Sequence, residues 1–432
     1  MTGAAAFVIV AFFVSPQLQA ADDSRWTVSL GVVHTDNIER SPANERSALI
    51  PEASVAFGYT KKRERFDAKI AANLLYSAYE KKYYRNVASP EPTSGTASVA
   101  LTAAVIPGRF DWDFKDTFGH SPVNLAAADS PTNRQTTNVL ETGPRIMFPI
   151  GERTQMQVGA TYFSSRFGTS AADGTGYQGN VGLIRRTSRN GSLSLRLSGN
   201  RVEYPSSTIA KIFEVRSAFF SWNRVSTRGD LLLDLGQTEL RGGGQTQNSP
   251  LLHLTYTRRL SPRSSVSFSA GREFSNAGQA FQGNSAFFGV ATSLNDVQAS
   301  AEAFRSDFGM ATWNVTGERL DLSLQALARR ETHPLGSTQD AQYYSAGLTL
   351  SRALSSRLRA GFRMEFGHRE LTFLNAQNDQ ITVTANATFR LSSVVSLNFG
   401  LEHLTGDALG VGRNFVENRQ LLSISYSPAP PR

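Results

Sequence analysis

Cysteine is absent from all 432 residues, which excludes a disulfide framework, a thiolate zinc site, a catalytic thiol and an acylated N-terminal cysteine. Beyond residue 21 no apolar run approaches the roughly 20 residues that a transmembrane helix requires, so a helical membrane protein is excluded. Apolar residues are scarce too: they make up 40% of the chain, against about 45–50% in an ordinary globular domain. Disorder is excluded in turn by 27 Phe, 12 Tyr and 4 Trp, because disordered segments lack the aromatics needed to bury apolar surface. A folded object with a polar interior suits this balance.

The one long apolar stretch lies at the start. Ala4 to Val14 is an unbroken apolar or small run, followed by Pro16 and small residues ending at Ala20-Ala21. That pattern predicts a secretory signal peptide over residues 1–20, cleaved after Ala20 or Ala21. No Lys or Arg precedes the run, and Leu18 stands where a small residue is usual, so a buried N-terminal helix is the alternative. The rest of the chain, 21–432, is expected to form one domain.

From Arg25 onward, stretches of about 10 to 13 residues alternate apolar and polar with the period of two that belongs to strands. Leu358, Ala360, Phe362, Met364 and Phe366 oppose Arg359, Gly361, Arg363, Glu365 and Gly367. Ile381, Val383, Ala385 and Phe389 oppose Thr382, Thr384, Asn386 and Arg390. Strands of a soluble sandwich are about half as long. Tilted strands of this length match a lipid-facing band of about 25 Å, and an open sheet edge is not tolerated in hydrocarbon, so the sheet must close. The predicted fold class is therefore all-β: a transmembrane antiparallel β-barrel of about 20 strands.

Connections support the same reading. Short turns such as Pro107-Gly108, Arg189-Asn190-Gly191 and Ser355-Ser356-Arg357 alternate with longer loops near 35–48, 80–94, 119–133, 241–248, 275–305 and 405–415. Short periplasmic turns and long outer loops are the expected asymmetry. Within 275–305, Val297 to Arg305 is either a further hairpin arm or part of an outer loop. Tyr and Trp gather near strand ends, where interfacial girdles form.

Three segments carry a resemblance to a known family: Thr35-Asp36-Asn37 after the first strand, Trp313 with Thr316-Gly317-Glu318-Arg319-Leu320-Asp321-Leu322-Ser323-Leu324, and Glu417-Asn418-Arg419 before Leu422, Ile424 and Tyr426. Together they resemble the outer-membrane β-barrel porin family associated with exopolysaccharide biosynthesis and export loci. The resemblance covers the layout of the mature chain and implies an outer-membrane barrel linked to polysaccharide export. The last strand resembles the signal read by the barrel-assembly machinery, with the departure that Ser427 to Arg432 follows the terminal aromatic Tyr426.

The formal net charge is +8. No charged side chain lies in residues 1–20, so the excess belongs to the mature chain. The 44 Lys and Arg are scattered rather than clustered on a recognised module, so no nucleic-acid partner is expected. Those on polar strand faces are the candidate lumen-lining residues: Lys69, Asp111, Asp113, Lys115, Arg196, Asp321, Arg359, Arg363, Glu365, Arg369, Arg390 and Glu402. Arginine in a water-filled pore favours anions, and a mixed ladder makes a transverse field. The competing reading is that these charges pair and brace the interior.

A catalytic reading finds little. The six histidines, His34, His120, His253, His333, His368 and His403, have no sequence neighbour that marks a nucleophile or a metal site. His368 and His403 are expected to face lipid near strand ends. Gly242-Gly243-Gly244 lacks the Lys and Ser or Thr of a phosphate loop and is expected to be a flexible stretch of an outer loop. No cofactor or metal is implied. The expected partners are outer-membrane lipid and lipopolysaccharide, the assembly machinery, and polysaccharide or export components. Three functions follow: a non-enzymatic conduit or scaffold linked to exopolysaccharide export, a general diffusion porin, or an outer-membrane hydrolase of lipid or glycan.

Overall fold

The computed structural model describes residues 23–42, 45–80, 91–124, 130–168, 173–206, 211–287, 302–335, 340–372, 376–408 and 413–428. The signal peptide expected over 1–20 and the stretch from Val297 to residue 301 lie outside them.

Among the described residues twenty strands run in sequence order. The first ten are β1 (Asp23–Thr35), β2 (Ala48–Arg63), β3 (Phe66–Ser77), β4 (Thr93–Ile106), β5 (Phe110–Pro122), β6 (Arg134–Pro149), β7 (Thr154–Phe167), β8 (Gly174–Ser188), β9 (Gly191–Glu203) and β10 (Ile212–Ser226). The second ten are β11 (Gly229–Gly242), β12 (Gln245–Ser261), β13 (Ser264–Asn276), β14 (Ala303–Thr316), β15 (Leu320–Thr332), β16 (Ala341–Ala353), β17 (Leu358–Leu371), β18 (Ala376–Arg390), β19 (Val395–Ala408) and β20 (Arg413–Tyr426). One helix, α1 (Ala277–Phe287), separates β13 from β14.

Each strand pairs antiparallel with the next. β1 pairs with β20 from Val28 opposite Tyr426 to Thr35 opposite Arg419, so the sheet closes on itself and leaves no edge. Closure is what hydrocarbon demands, because unpaired N–H and C=O groups have no water to bind there.

Which face points out follows from the alternation. Leu30 is 60% exposed and Leu197 56%. Trp26, Phe362, Phe366, Phe399, Leu401 and Ile424 are exposed as well, while their sequence neighbours are polar or small. A closed cylinder with bare aliphatic and aromatic side chains outside is stable only in lipid. The chain is an outer-membrane β-barrel. Among the described residues no helix is long and apolar enough to cross a membrane.

Strands run from 12 to 17 residues, longer than the alternating stretches visible in sequence. At about 3.3 Å per residue and a tilt near 40°, 14 residues rise about 35 Å, some 10 Å more than the lipid band. The surplus lies at the outer ends, where outward positions turn charged: Arg201 Nη1 stands 3.5 Å from Glu214 Oε1, Arg216 Nη2 3.0 Å from Glu214 Oε2, and Arg241 Nε 2.7 Å from Glu239 Oε1.

The long loop expected at 241–248 is replaced by a two-residue hairpin. Gly243 and Gly244 both have positive φ, 56° and 78°, which is the demand of a two-residue turn whose twist matches the flanking strands. Leu240 and Gln247 remain in register across the ladder. The glycines are a tight turn and not a flexible linker.

Segment 275–305 contributes the end of β13, then α1, then the start of β14. Asn276 caps the helix: its Oδ1 accepts the Gln279 backbone N–H at 3.0 Å, and its Nδ2 donates to Gln279 Oε1 at 2.9 Å. The first bond is the usual side-chain cap of a helix N-terminus, and the second ties the two amide side chains to each other. Ala277 and Phe281 are fully buried against Val139, Phe163, Phe167, Val202, Phe213 and Leu240, all inward positions on β6 to β11. Gln282 Nε2 donates to the Val139 carbonyl at 3.3 Å. The outer part of the interior therefore holds an apolar core with α1 at its centre. Sequence alone left open whether this segment enters the barrel.

Candidate functional site: the inner wall

Residues directly opposite across a ladder share a face, so the register sorts the charged residues. Lys69, Asp111, Asp113, Lys115, Arg196, Asp321, Arg359, Arg363, Glu365, Arg369, Arg390 and Glu402 all fall on the face turned away from the exposed apolar belt. The structure divides them among three groups and leaves Arg196 apart, its Nε donating to Ser194 Oγ at 3.2 Å.

The first group is a basic wall on β15 to β18. Its inward charges are Arg329, Arg359, Arg363, Arg369 and Arg390 against Asp321, Glu331 and Glu365, an excess of two positive charges. Arg359 Nη1 donates to Asp321 Oδ2 at 3.1 Å and to Ser351 Oγ at 2.9 Å. Arg363 pairs with Glu365 on its own strand. Higher up, Arg329 and Glu331 form a buried pair at 3.2 Å. The Tyr343 ring lies 4.5 Å from the Arg329 guanidinium and 5.4 Å from that of Arg369. Cation–π attraction at such distances holds long side chains along the wall.

The second group lines β3 to β6. Arg145 Nη2 is 3.0 Å from Asp111 Oδ2 and 3.4 Å from Asp113 Oδ1. Above them Asp67, Lys69, Asp113, Lys115 and Glu141 line a hollow of about 420 Å³. Asp67, Asp111, Asp113 and Glu141 outnumber Lys69, Lys115 and Arg145 by one. A wall with an acidic excess thus stands apart from a wall with a basic excess, as a transverse field requires.

The third group spans the closure. Arg419 is 3.3 Å from Glu402, 3.5 Å from Glu52 and 3.8 Å from Glu417. Glu417 also takes Arg40 at 2.8 Å and the Thr35 hydroxyl at 2.7 Å. Next to it Asn418 donates through its backbone N–H to Asp36 Oδ1 at 2.8 Å and through Nδ2 to Asp36 Oδ2 at 2.7 Å, and Asn37 Nδ2 donates to the Val416 carbonyl at 2.9 Å. The two motifs Thr35-Asp36-Asn37 and Glu417-Asn418-Arg419, nearly 400 residues apart in sequence, form one clasp where the cylinder closes.

Sequence reasoning missed Arg329, Glu331, Arg145, Glu141, Glu52 and Arg419 as inward residues. Parity with an exposed neighbour would have found most of them: Arg145 precedes exposed Ile146, and Arg329 stands three residues beyond exposed Ala326.

Where histidines meet hydroxyl groups the contact is either exposed or long: His34 Nε2 lies 3.0 Å from the exposed Ser47 Oγ. His368 and His403 lie on the lipid-side face; His368 Nδ1 is 2.6 Å from Asp379 Oδ1 and His403 Nδ1 2.7 Å from Asn418 Oδ1. Inward His253 has Asp234 at 3.5 Å on Nδ1 and Thr255 at 3.5 Å on Nε2, both at the limit of hydrogen bonding. Among the described residues no group of three or more His, Cys, Asp or Glu could hold a metal ion.

Just above β15, His333 is buried against Phe304, with its backbone N–H on Asp340 Oδ1 at 2.8 Å. Burial holds its imidazole below the ordinary histidine range, and the nearby Asp340 carboxylate only partly offsets this.

No family model matches the chain, and no curated protein matches it. Among solved structures it is similar to a mutant ferric enterobactin receptor of Pseudomonas aeruginosa, at 12% identity over 95% of this chain and 81% of that one, with a TM-score of 0.45. The siderophore receptor PirA of the same organism gives 11%, 95%, 81% and 0.45. The FrpB iron transporter of Neisseria meningitidis gives 10%, 94%, 83% and 0.44.

Proposed function

We propose that the protein is a non-enzymatic outer-membrane conduit for anionic solutes, with α1 narrowing its outer half. The observation that carries this reading is the basic wall of β15 to β18, where five inward arginines meet three carboxylates. A surplus guanidinium on a water-filled wall attracts anions and repels cations, and its planar fork suits carboxylates and sulfates. An acidic glycan strand fits the same wall, because Tyr343 adds an apolar face beside the charges; the glycan half of the proposal draws on the resemblance to the exopolysaccharide-associated family.

The test is single-channel recording of refolded residues 21–432 in a planar bilayer under a KCl gradient. The expected result is a steady conductance with chloride preference that moves toward neutrality in the triple variant Arg359→Gln, Arg363→Gln, Arg369→Gln. Cation preference, a sealed barrel or unchanged selectivity in the variant overturns the proposal. Dextran sulfate is expected to block the current from the outer side at concentrations where neutral dextran does not; equal block by the two polymers removes the acidic-glycan part.

A further inference from the structure

Three arginines converge outside the barrel, where no conduit needs them. On the outward face of β13 to β15, Asp307 lies in register with Arg272 on one side and Arg330 on the other. Arg272 pairs with Asp307 directly, and Arg305 Nε stands 3.3 Å from Asp307 Oδ2. Among the described outward residues of these strands three arginines stand beside a single carboxylate, which pairs with two of them. All keep exposure: the side chains of Arg272 and Arg305 are 42% and 34% accessible, and Arg330 is exposed.

The cluster sits at the outer end of the strands, one outward position above Gly309 and Ala328, which face each other across the ladder. Below these begins an apolar hollow of about 390 Å³ on the lipid-facing surface. Ala311, Ala326 and Ala346 lie in one row across β14 to β16, and Trp313, Leu324 and Leu348 form the bulkier row beneath. Small side chains between large ones leave a trough along the wall. At other parts of the outer rim charges pair within a strand or hairpin, as with Arg241 and Glu239, or carboxylates are in excess, as with Glu370 and Asp379 on β17 and β18; here arginine is in excess.

We infer that this surface binds one molecule of a phosphorylated, multiply acylated glycolipid of the outer leaflet, the lipid A class. The arginine cluster takes a phosphate and the trough seats an acyl chain. The charge complementarity is specific to a dianionic phosphate: Arg offers paired N–H donors that match phosphate oxygens, and at the edge of hydrocarbon such contacts are little screened. Asp307 orients the guanidinium groups without neutralising them. The site is independent of the lumen and of the conduit reading.

The experiment uses the full mature barrel in nanodiscs containing lipid A and phosphatidylglycerol, followed by native mass spectrometry of the released protein. The expected outcome is one lipid A retained by the wild type and at least about tenfold less retention in Arg272→Gln, Arg305→Gln, Arg330→Gln. The variant Ala326→Trp, which fills the trough and leaves the arginines in place, is expected to lose retention as well. Arg201→Gln, Arg216→Gln, Arg241→Gln, at the balanced part of the rim, is expected to retain lipid A. Equal retention by the first variant and the wild type, equal loss in the rim control, or equal retention of phosphatidylglycerol overturns the inference.

Discussion

Single residues carry the chemistry of this barrel through their parity. A residue on an even or odd position of one strand faces lipid or interior, and one cross-strand pair fixes the choice for the next strand. The candidate residues named from sequence, Arg359, Arg363 and Glu365 among them, were legible because bulky Leu358, Phe362 and Met364 interleave with them. Glu141 and Arg145 were not, because Gly143 and Pro144 interrupt the alternation of β6. The partners were not legible at all: nothing in sequence spacing says that Asp321 meets Arg359 two strands away. His333 yields a prediction at this scale. In the folded barrel its proton affinity is lowered by burial, so the unfolded or opened segment binds a proton first as pH falls. The stability it contributes is complete above the ordinary histidine value of about 6.5 and declines below it. Hydrogen exchange at the outer ends of β15 and β16, corrected for intrinsic rate, is expected to show protection falling between roughly pH 7 and pH 5. His333→Phe, which fills the same space beside Phe304, should flatten that profile. A wild type with pH-independent protection would show that burial of the imidazole is not what orders this end.

At the scale of elements, strand existence and order were readable because each strand repeats its own pattern for more than ten residues. The tips were harder. Gly243 and Gly244 look like loop composition, yet their positive φ turns them into the shortest hairpin at the outer rim. α1 was illegible for a different reason: Ala277, Ala280 and Phe281 begin a helical stripe that Asn284 and Ser285 do not continue, and the surface that buries it is supplied by strands far away in sequence. Its docking rests on two features that can be changed separately. Phe281 is fully buried in the apolar core, and a Phe→Ala change in such a place costs about 3–5 kcal/mol. Gly278 packs so closely that a Cβ there would lie 2.4 Å from Phe163 Cζ. Both Phe281→Ala and Gly278→Leu are expected to release the helix, raise single-channel conductance and expose 277–287 to protease. Asn276→Ala, which removes only the cap, costs about 1 kcal/mol and is expected to give brief openings instead of a permanent increase. Conductance unchanged in both packing variants would mean that α1 does not narrow the path.

The whole molecule is a cylinder held by one junction that chain connectivity does not supply. Nineteen ladders join neighbours in sequence; the β1–β20 ladder joins the two ends of the barrel and runs only from Val28 to Thr35 on β1. What the ladder lacks in length is made up by side chains: the Ser29 and Ser425 hydroxyls at 2.8 Å, the Trp26 and Tyr426 rings at 5.6 Å, and the clasp of Asp36, Asn418, Glu417 and Arg419 at the outer end. The sequence contained both halves of this clasp as recognisable motifs, but their meeting is a property of closure and could not be seen before the cylinder was built. Arg419 is the element most sensitive to loss, since three carboxylates, Glu52, Glu402 and Glu417, surround it. Replacing it by Leu leaves them facing one another beside Arg40 alone. The side chain is 29% accessible, so water in the interior softens the penalty to about 1–3 kcal/mol, and the cost falls on the junction that prevents the sheet from opening. The heat-induced mobility shift of the folded barrel in detergent electrophoresis is expected to move to lower temperature in Arg419→Leu. Arg201→Gln breaks an exposed pair on the outer surface, where exposed pairs are worth well under about 1 kcal/mol, and should leave the shift in place. If the two variants shift alike, the clasp is surface decoration and backbone pairing alone closes the barrel; if only Arg419→Leu shifts, the ionic junction is part of what makes twenty hairpin-linked strands into a ring.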